Sequence, residues 1–276
     1  MIQILSCIVI VFIFFIFYGY LQNFCLKVEY YSIVSAAVSR DVRIVLLADL
    51  HGNQFGRDNQ KLVQRIHECE PDFICVAGDL TVKDGKHTAR MLSLLERLSD
   101  SYEIYYSPGN HEIRMPDYPE YVAKIKAMGI HYLANESAVR QDGCIITGLD
   151  LPMYWYRNRW RKRNRPLRPK RVRRYVKKRP DRGFHILLAH NPEFFDAYAG
   201  WGADLTLSGH VHGGIMRLPV LGGVIAPSLR LFPKYDAGEF RLNNSEMIVS
   251  RGLGTHHIKL RFFNPPELSL IEVKKE

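Results

Sequence analysis

Short, unbroken apolar runs recur along this chain, and each one ends at Asp, Asn or His, directly or through a glycine turn. Arg43-Ile-Val-Leu-Leu-Ala48 stops at Asp49, Phe73-Ile-Cys-Val-Ala77 stops at Gly78-Asp79, and Glu103-Ile-Tyr-Tyr106 runs through Ser107-Pro108-Gly109 to Asn110. Phe184 to Ala189 stops at His190, and Ala203 to Leu207 leads through Ser208-Gly209 to His210. Runs this short, without polar alternation, predict strands covered on both faces. The stretches near 57–69, 87–98 and 118–128 place apolar residues on one face and predict helices, while Asn191-Pro192 reads as a helix start with Asn as cap. Further strands are expected at Cys144 to Gly148 and near Leu268 to Val273. This alternation predicts an α/β layered domain with a largely parallel or mixed sheet, in which ligands gather beyond the carboxyl ends of strands.

The first 26 residues contain no charged side chain. At 1.5 Å per residue, about 20 apolar residues cross a hydrocarbon core of about 30 Å, so this stretch is of membrane length. Tyr18, Tyr20 and Lys27 fall where an interfacial belt would lie. A cleaved signal peptide would need a basic start and an early small-residue site, whereas no basic residue precedes the run and Ala36-Ala37 come late. The expected organisation is a single-pass anchor at 1–26, a connector at 27–42 and a catalytic domain at 43–276. Lys27, Arg40 and Arg43 follow the span and none precedes it, which biases the domain toward the cytoplasmic face.

Hydrophobic residues make up 47% of the chain, which rules out disorder as the default state. Five cysteines, without C-x-x-C spacing, imply neither a disulfide framework nor a thiolate zinc site. The formal charge of +10 is local, because residues 157–182 hold fifteen Lys or Arg against one acid, and the remainder is mildly acidic.

The residues at the ends of the runs are Asp49-Leu-His51, Gly78-Asp79, Gly109-Asn110-His111-Glu112, His190 and Gly209-His210-Val211-His212-Gly213-Gly214. Carboxylate, imidazole and amide donors without a thiolate suit divalent Mn, Fe, Zn or Co. Taken singly, each is more often a turn or a satisfied core residue; five in order at strand ends point to one open metal site. The series D-x-H, G-D, G-N-H-[DE], a lone His and G-H-x-H resembles the calcineurin-like metallophosphoesterase superfamily. The ending from Gly252-Leu-Gly254 through Arg261-Phe-Phe-Asn-Pro-Pro-Glu267 looks like its membrane-anchored bacterial phosphodiesterase branch.

That resemblance implies a two-sheet sandwich flanked by helices and two divalent metal ions. Asp49, His51, Asp79 and His212 would hold one ion, and Asp79 would bridge to a second held by Asn110, His190 and His210. The pair would lower the pKa of a shared water, so that hydroxide attacks phosphorus near neutral pH. His111 would protonate the leaving oxygen or neutralise phosphoryl charge, against the plainer alternative of a supporting residue. Arg261 and His256, in the Gly-rich C-terminal loop, are candidates for gripping substrate phosphate. The expected substrate is a phosphoester, lipid-linked or nucleotide-linked. A non-catalytic membrane adaptor is the competing class, and the complete ligand series argues against it.

The basic insert at 157–182 lies outside the family pattern and interleaves with Trp155, Tyr156, Trp160 and Tyr175. It reads as a solvated loop, as a clamp for anionic lipid, or as a nucleic-acid site that would make the protein a nuclease.

Overall fold

The computed structural model describes residues 2–156, 166–214, 216–218, 220–226, 231–255 and 259–276. The strands are β1 (Lys27–Ser35), β2 (Val42–Leu47), β3 (Phe73–Ala77), β4 (Glu103–Ser107), β5 (His131–Tyr132), β6 (Ser137–Val139), β7 (Cys144–Gly148), β8 (Phe184–Leu188), β9 (Leu205–Ser208), β10 (Arg217–Leu218), β11 (Gly222–Gly223), β12 (Gly238–Leu242), β13 (Ser245–Val249) and β14 (Glu267–Lys275). The α-helices are α1 (Ile2–Leu21), α2 (Gln60–Glu68), α3 (Thr88–Ser99), α4 (Tyr118–Ala127), α5 (Pro169–Val176) and α6 (Phe195–Trp201). One sheet runs β1-β14-β2-β3-β4-β5, the other β12-β13-β9-β8-β7-β6, and β10-β11 form a small ribbon.

The continuous apolar runs have a direct cause. On β2, Ile44 and Leu46 face the cluster between the sheets, while Val45 and Leu47 face the cluster under α2, α3 and α4. On β3, Phe73, Cys75 and Ala77 point one way and Ile74 and Val76 the other, all fully buried. A third cluster joins the outer face of the second sheet to α5 and α6. The result is a helix–sheet–sheet–helix sandwich in which each buried Leu or Ile contributes about 1.5–3 kcal/mol. β2 to β5 are mutually parallel, as are β7, β8, β9 and β13. Their C-terminal ends therefore deliver loops from both sheets to one place.

Two regions depart from the sequence expectations. Residues 27–42, read as a connector, contain β1, which pairs with β14 over nine positions. Its mixed polarity is that of an edge strand whose side chains are exposed or half-buried except for Ile33. The basic insert, for which a solvated loop was one reading, is helical at Pro169–Val176. Leu167, Val172 and Val176 are buried with Tyr198 and Trp201, and Trp201 Nε1–H donates to the Lys177 carbonyl at 2.9 Å. This apolar stripe, with Val172 and Val176 at i, i+4, is too thin to show against the charges, while Lys170, Arg173 and Arg174 stay exposed. Residues 157–165 lie outside the described residues.

α1 is apolar and long enough to cross a bilayer. Its large apolar side chains from Ile4 to Phe14 are 48–70% exposed. The last turns dock on the C-terminal loop: Phe15 stacks on Phe262 at 4.3 Å, and Tyr18 lies 5.8 Å from Phe263. The Gly19 carbonyl accepts from Arg261 N–H at 2.9 Å, and the Asn23 amide donates to the Lys259 carbonyl at 3.0 Å.

Candidate metal centre

Asp49 begins the loop after β2 and is fully buried. Its N–H donates to the Gly78 carbonyl and its Oδ2 accepts from His210 N–H at 2.8 Å, so three strand-end loops meet on one residue. Asp49 Oδ1 faces His212 Nε2 at 3.5 Å, His51 Nε2 at 3.8 Å and His190 Nε2 at 3.9 Å. His51 Nε2 and His212 Nε2 are 3.1 Å apart. Two imidazoles on one ion, each about 2.0–2.1 Å away, stand close to that separation. His212 Nδ1–H donates to the Gly254 carbonyl at 3.1 Å and His190 Nδ1–H to the Ala77 carbonyl at 2.7 Å, which fixes both rings with Nε2 toward the centre.

Asp79 occupies the middle. Its Oδ2 lies 3.1 Å from His190 Nε2 and its Oδ1 accepts from His111 N–H at 2.7 Å. Donor atoms of Asp49, His51 and His212 lie within 4.8 Å of one another, and so do those of Asp79, His190 and His210, and of His51, Asp79 and His111. Asp49 Oδ1 and Asn110 Oδ1 are buried oxygens that accept no hydrogen bond. Such an orphan costs about 1–3 kcal/mol unless a cation meets it, and the oxygen–imidazole donor set suits a divalent ion.

The backbone here is strained. Asp49, His51, Asp79, His210 and His212 all have positive φ, between 47° and 72°. Left-handed backbone costs a non-glycine residue about 1–2 kcal/mol, and such strain clusters at functional sites. Gly109 lets the loops close: a Cβ there would overlap the Asp79 carboxylate.

Burial shapes the electrostatics, and the mutual charges decide the outcome. Burial and the neighbouring Asp79 push Asp49 up to about 7, although His190 opposes them. Burial disfavours charge on both Asp79 and His190, yet their ion pair prevails. Asp79 is held well below the usual carboxylate range and His190 is raised to about 10. Burial lowers His111 and, with His51 beside it, lowers His212 strongly.

His111 Nδ1 accepts from Lys83 N–H at 3.2 Å, so the neutral ring carries its proton on Nε2. Its ring lies 4.7 Å from that of His51. The resemblance named His111 but gave no work to Glu112. Glu112 is fully buried and accepts from the N–H groups of Asp79 (2.8 Å), Gly109 (3.0 Å) and Thr81 (3.2 Å) and from Tyr106 O–H (2.9 Å). It thereby ties the loops of Asp79 and Asn110 together; the acidic position of the G-N-H-[DE] motif was the available signal. Asn264 was also missed: its amide donates to the His212 and Gly214 carbonyls at 2.7 and 2.5 Å. Tyr156, grouped with the basic insert, stands 5.4 Å from the His210 ring.

Arg261 is not placed to grip phosphate. It is 2% exposed, and its guanidinium donates to the carbonyls of Arg251, Gly252, Gly254 and Asn264. A guanidinium carries five donors, and here those of both terminal nitrogens are taken up by carbonyls that the glycine-rich loop presents. His256 lies outside the described residues.

The sequence model of the calcineurin-like phosphoesterases matches residues 42–214, well over half of the chain. The chain belongs to that family. It is a metal-dependent phosphoesterase, and its candidate metal centre coincides with the Asp and His series at the strand ends. Among relatives, the uncharacterized metallophosphoesterase YkuE of Bacillus subtilis is 25% identical, over 92% of this chain and 88% of its own. An uncharacterized metallophosphoesterase of Aquifex aeolicus is 26% identical, over 93% and 95%. A transmembrane protein with metallophosphoesterase domain from Danio rerio is 26% identical over 85% of this chain and 53% of its own. The solved structure of TT1561 of Thermus thermophilus superimposes with a TM-score of 0.50 at 13% identity, covering 77% of this phosphoesterase and 90% of that chain, a likeness of fold.

Proposed function

We propose that this phosphoesterase uses two divalent ions to hydrolyse a phosphodiester or pyrophosphate at a membrane surface, with its catalytic domain on the cytoplasmic face. The observation that carries the reading is the position of Asp79. Its carboxylate belongs to donor groups on both sides of the centre, one with His190 and His210 and one with His51 and His111. One carboxylate can serve two ions about 3.5–4 Å apart.

Asp49, His51 and His212 with Asp79 would hold one ion, and Asn110, His190 and His210 with Asp79 the other. When bound, the pair supplies acidity toward water and positive charge toward the phosphoryl oxygens. The chain's own part is to hold the donors rigid through Glu112, Asn264 and the two carbonyl-bound imidazoles, and to present His111. Its Nε2–H donates to a phosphoryl or leaving oxygen.

The membrane part of the reading is supported by α1 and by Lys27, Arg40 and Arg43, which follow it. The exposed Lys170, Arg173 and Arg174 of α5 offer an anionic lipid headgroup a place to bind.

Asp79→Asn in the full-length protein is expected to abolish hydrolysis of bis(p-nitrophenyl) phosphate. Bound metal, counted by atomic spectroscopy, should fall from two ions per chain to one or none. Full activity in this variant, or a wild-type stoichiometry of one, would overturn the two-ion centre.

A further inference from the structure

The surface around the docked end of α1 carries an apolar rim. Val220 is fully exposed, Leu221 is 63% exposed, Leu231 61%, Phe232 57% and Phe263 52%. Three of these, Val220, Phe232 and Phe263, have φ of 69°, 46° and 52°. A β-branched or aromatic residue in that conformation is an outlier, and here the strain aims apolar side chains outward. Water offers no return for such an arrangement; a hydrocarbon phase does.

The rim is continuous with the anchor. Phe262 stacks on Phe15, six residues before the end of α1 at Leu21, so Phe262 sits about 9 Å down the helix from its end. Phe263 packs on Tyr18. β10 is bridged to the same loop: Met216 pairs with Phe262, and Arg217 N–H donates to the Phe262 carbonyl at 3.0 Å. The ribbon that follows carries Val220 and Leu221 at its turn, and the backbone around Ile225 pairs with Leu231, next to Phe232. If α1 spans the bilayer, a loop seated on Phe15 lies below the level where the helix leaves it.

We propose that the β10–β11 turn, Phe232 and Phe263 form a second membrane contact that enters the lipid interface beside α1. The inference rests on reading α1 as a membrane anchor. Its occupant is the bilayer, because the rim shares its aromatic contacts with a helix otherwise exposed along its apolar length. The contact bears directly on the metal centre. Asn264, next to Phe263, holds the carbonyls of His212 and Gly214, and Gly223 of the ribbon packs closely against Gly213. Membrane engagement therefore sets the position of the loop that carries His210 and His212, and brings the centre to the headgroup layer.

The test uses the full chain in phospholipid nanodiscs, with Cys7→Ser and Cys25→Ser as background. Nitroxides are placed one at a time through Val220→Cys, Phe232→Cys, Phe12→Cys within α1, and Lys124→Cys on α4 at the far edge of the first sheet from β1. Accessibility to oxygen is compared with accessibility to a water-soluble nickel chelate. The expected result is an oxygen-to-nickel ratio at 220 and 232 several-fold above that at 124, approaching the value at 12. A ratio at 220 and 232 equal to that at 124, with 12 in hydrocarbon, overturns the rim proposal and leaves the anchor standing. Water-like values at 12 overturn both. Exclusion of both reagents at 220, with spin–spin broadening, means that a second copy covers the rim and overturns the bilayer as occupant.

Discussion

Asp49, His51, Asp79, His210 and His212 hold a left-handed backbone inside an enclosed polar centre, whereas Val220, Phe232 and Phe263 hold the same backbone with apolar side chains turned outward. In the first group every strained residue is fastened. The N–H groups of Asp49, His51, Asp79 and His210 are all bonded, to the Gly78 carbonyl, the Asp79 carbonyl, Glu112 and Asp49, and the His212 ring leans on the Gly254 carbonyl. In the second group the fastening is one-sided: Phe232 N–H donates to the Val224 carbonyl at 2.9 Å and Phe263 leans on Tyr18, while the side chains face outward. Strain persists only where the surroundings hold it. At the centre the protein itself does so; at the rim the protein does part of it, and the proposed lipid contact supplies the rest.

Gly109→Ala should have the largest effect. Its Cβ would overlap the Asp79 carboxylate and backbone N. Bound metal and hydrolysis of an aryl phosphodiester should both fall to background, and thermal unfolding should show a loss of about 1–3 kcal/mol. Normal metal content in this variant would mean that the centre is looser than its hydrogen bonds indicate.

His111→Ala comes next. It leaves the fastening of Asp79 by Glu112 in place and removes one Nε2–H, so turnover should drop by about 10²- to 10⁴-fold with metal content unchanged. A drop of less than tenfold would assign His111 a supporting role only.

Val220→Gly should be the mildest. It relieves about 1–2 kcal/mol of left-handed strain and restores part of that as flexibility in the unfolded chain. In detergent the expected result is a stability gain of about 0.5–1 kcal/mol, with unchanged hydrolysis of a soluble ester. A destabilised or inactive Val220→Gly protein would show that the rim is fastened like the centre, and the contrast between them would fail.

The candidate centre was legible in the sequence because its Asp, Asn and His residues follow strands buried on both faces, and unbroken apolar runs announce both the strand and its end. β3 and β7 match their expected bounds, and β2, β4 and β8 shift by a residue. Glu112 was less legible, since its partners are backbone amides of loops remote in sequence. Arg261 was read through the chemistry of its side chain, while its surroundings turn out to be carbonyls. β1 lacked a signal because an edge strand needs no apolar run, and α5 was masked by cations around its apolar stripe. Local patterns revealed elements that bury themselves, and they concealed those completed by distant neighbours.

In the first sheet β14 lies between β1 and β2. The strand that follows α1 therefore waits for a neighbour synthesised about 230 residues later, on the order of ten to fifty seconds at the usual pace of translation. Until then the nascent chain carries an open sheet edge, and closure of the sheet reports that β14 has arrived.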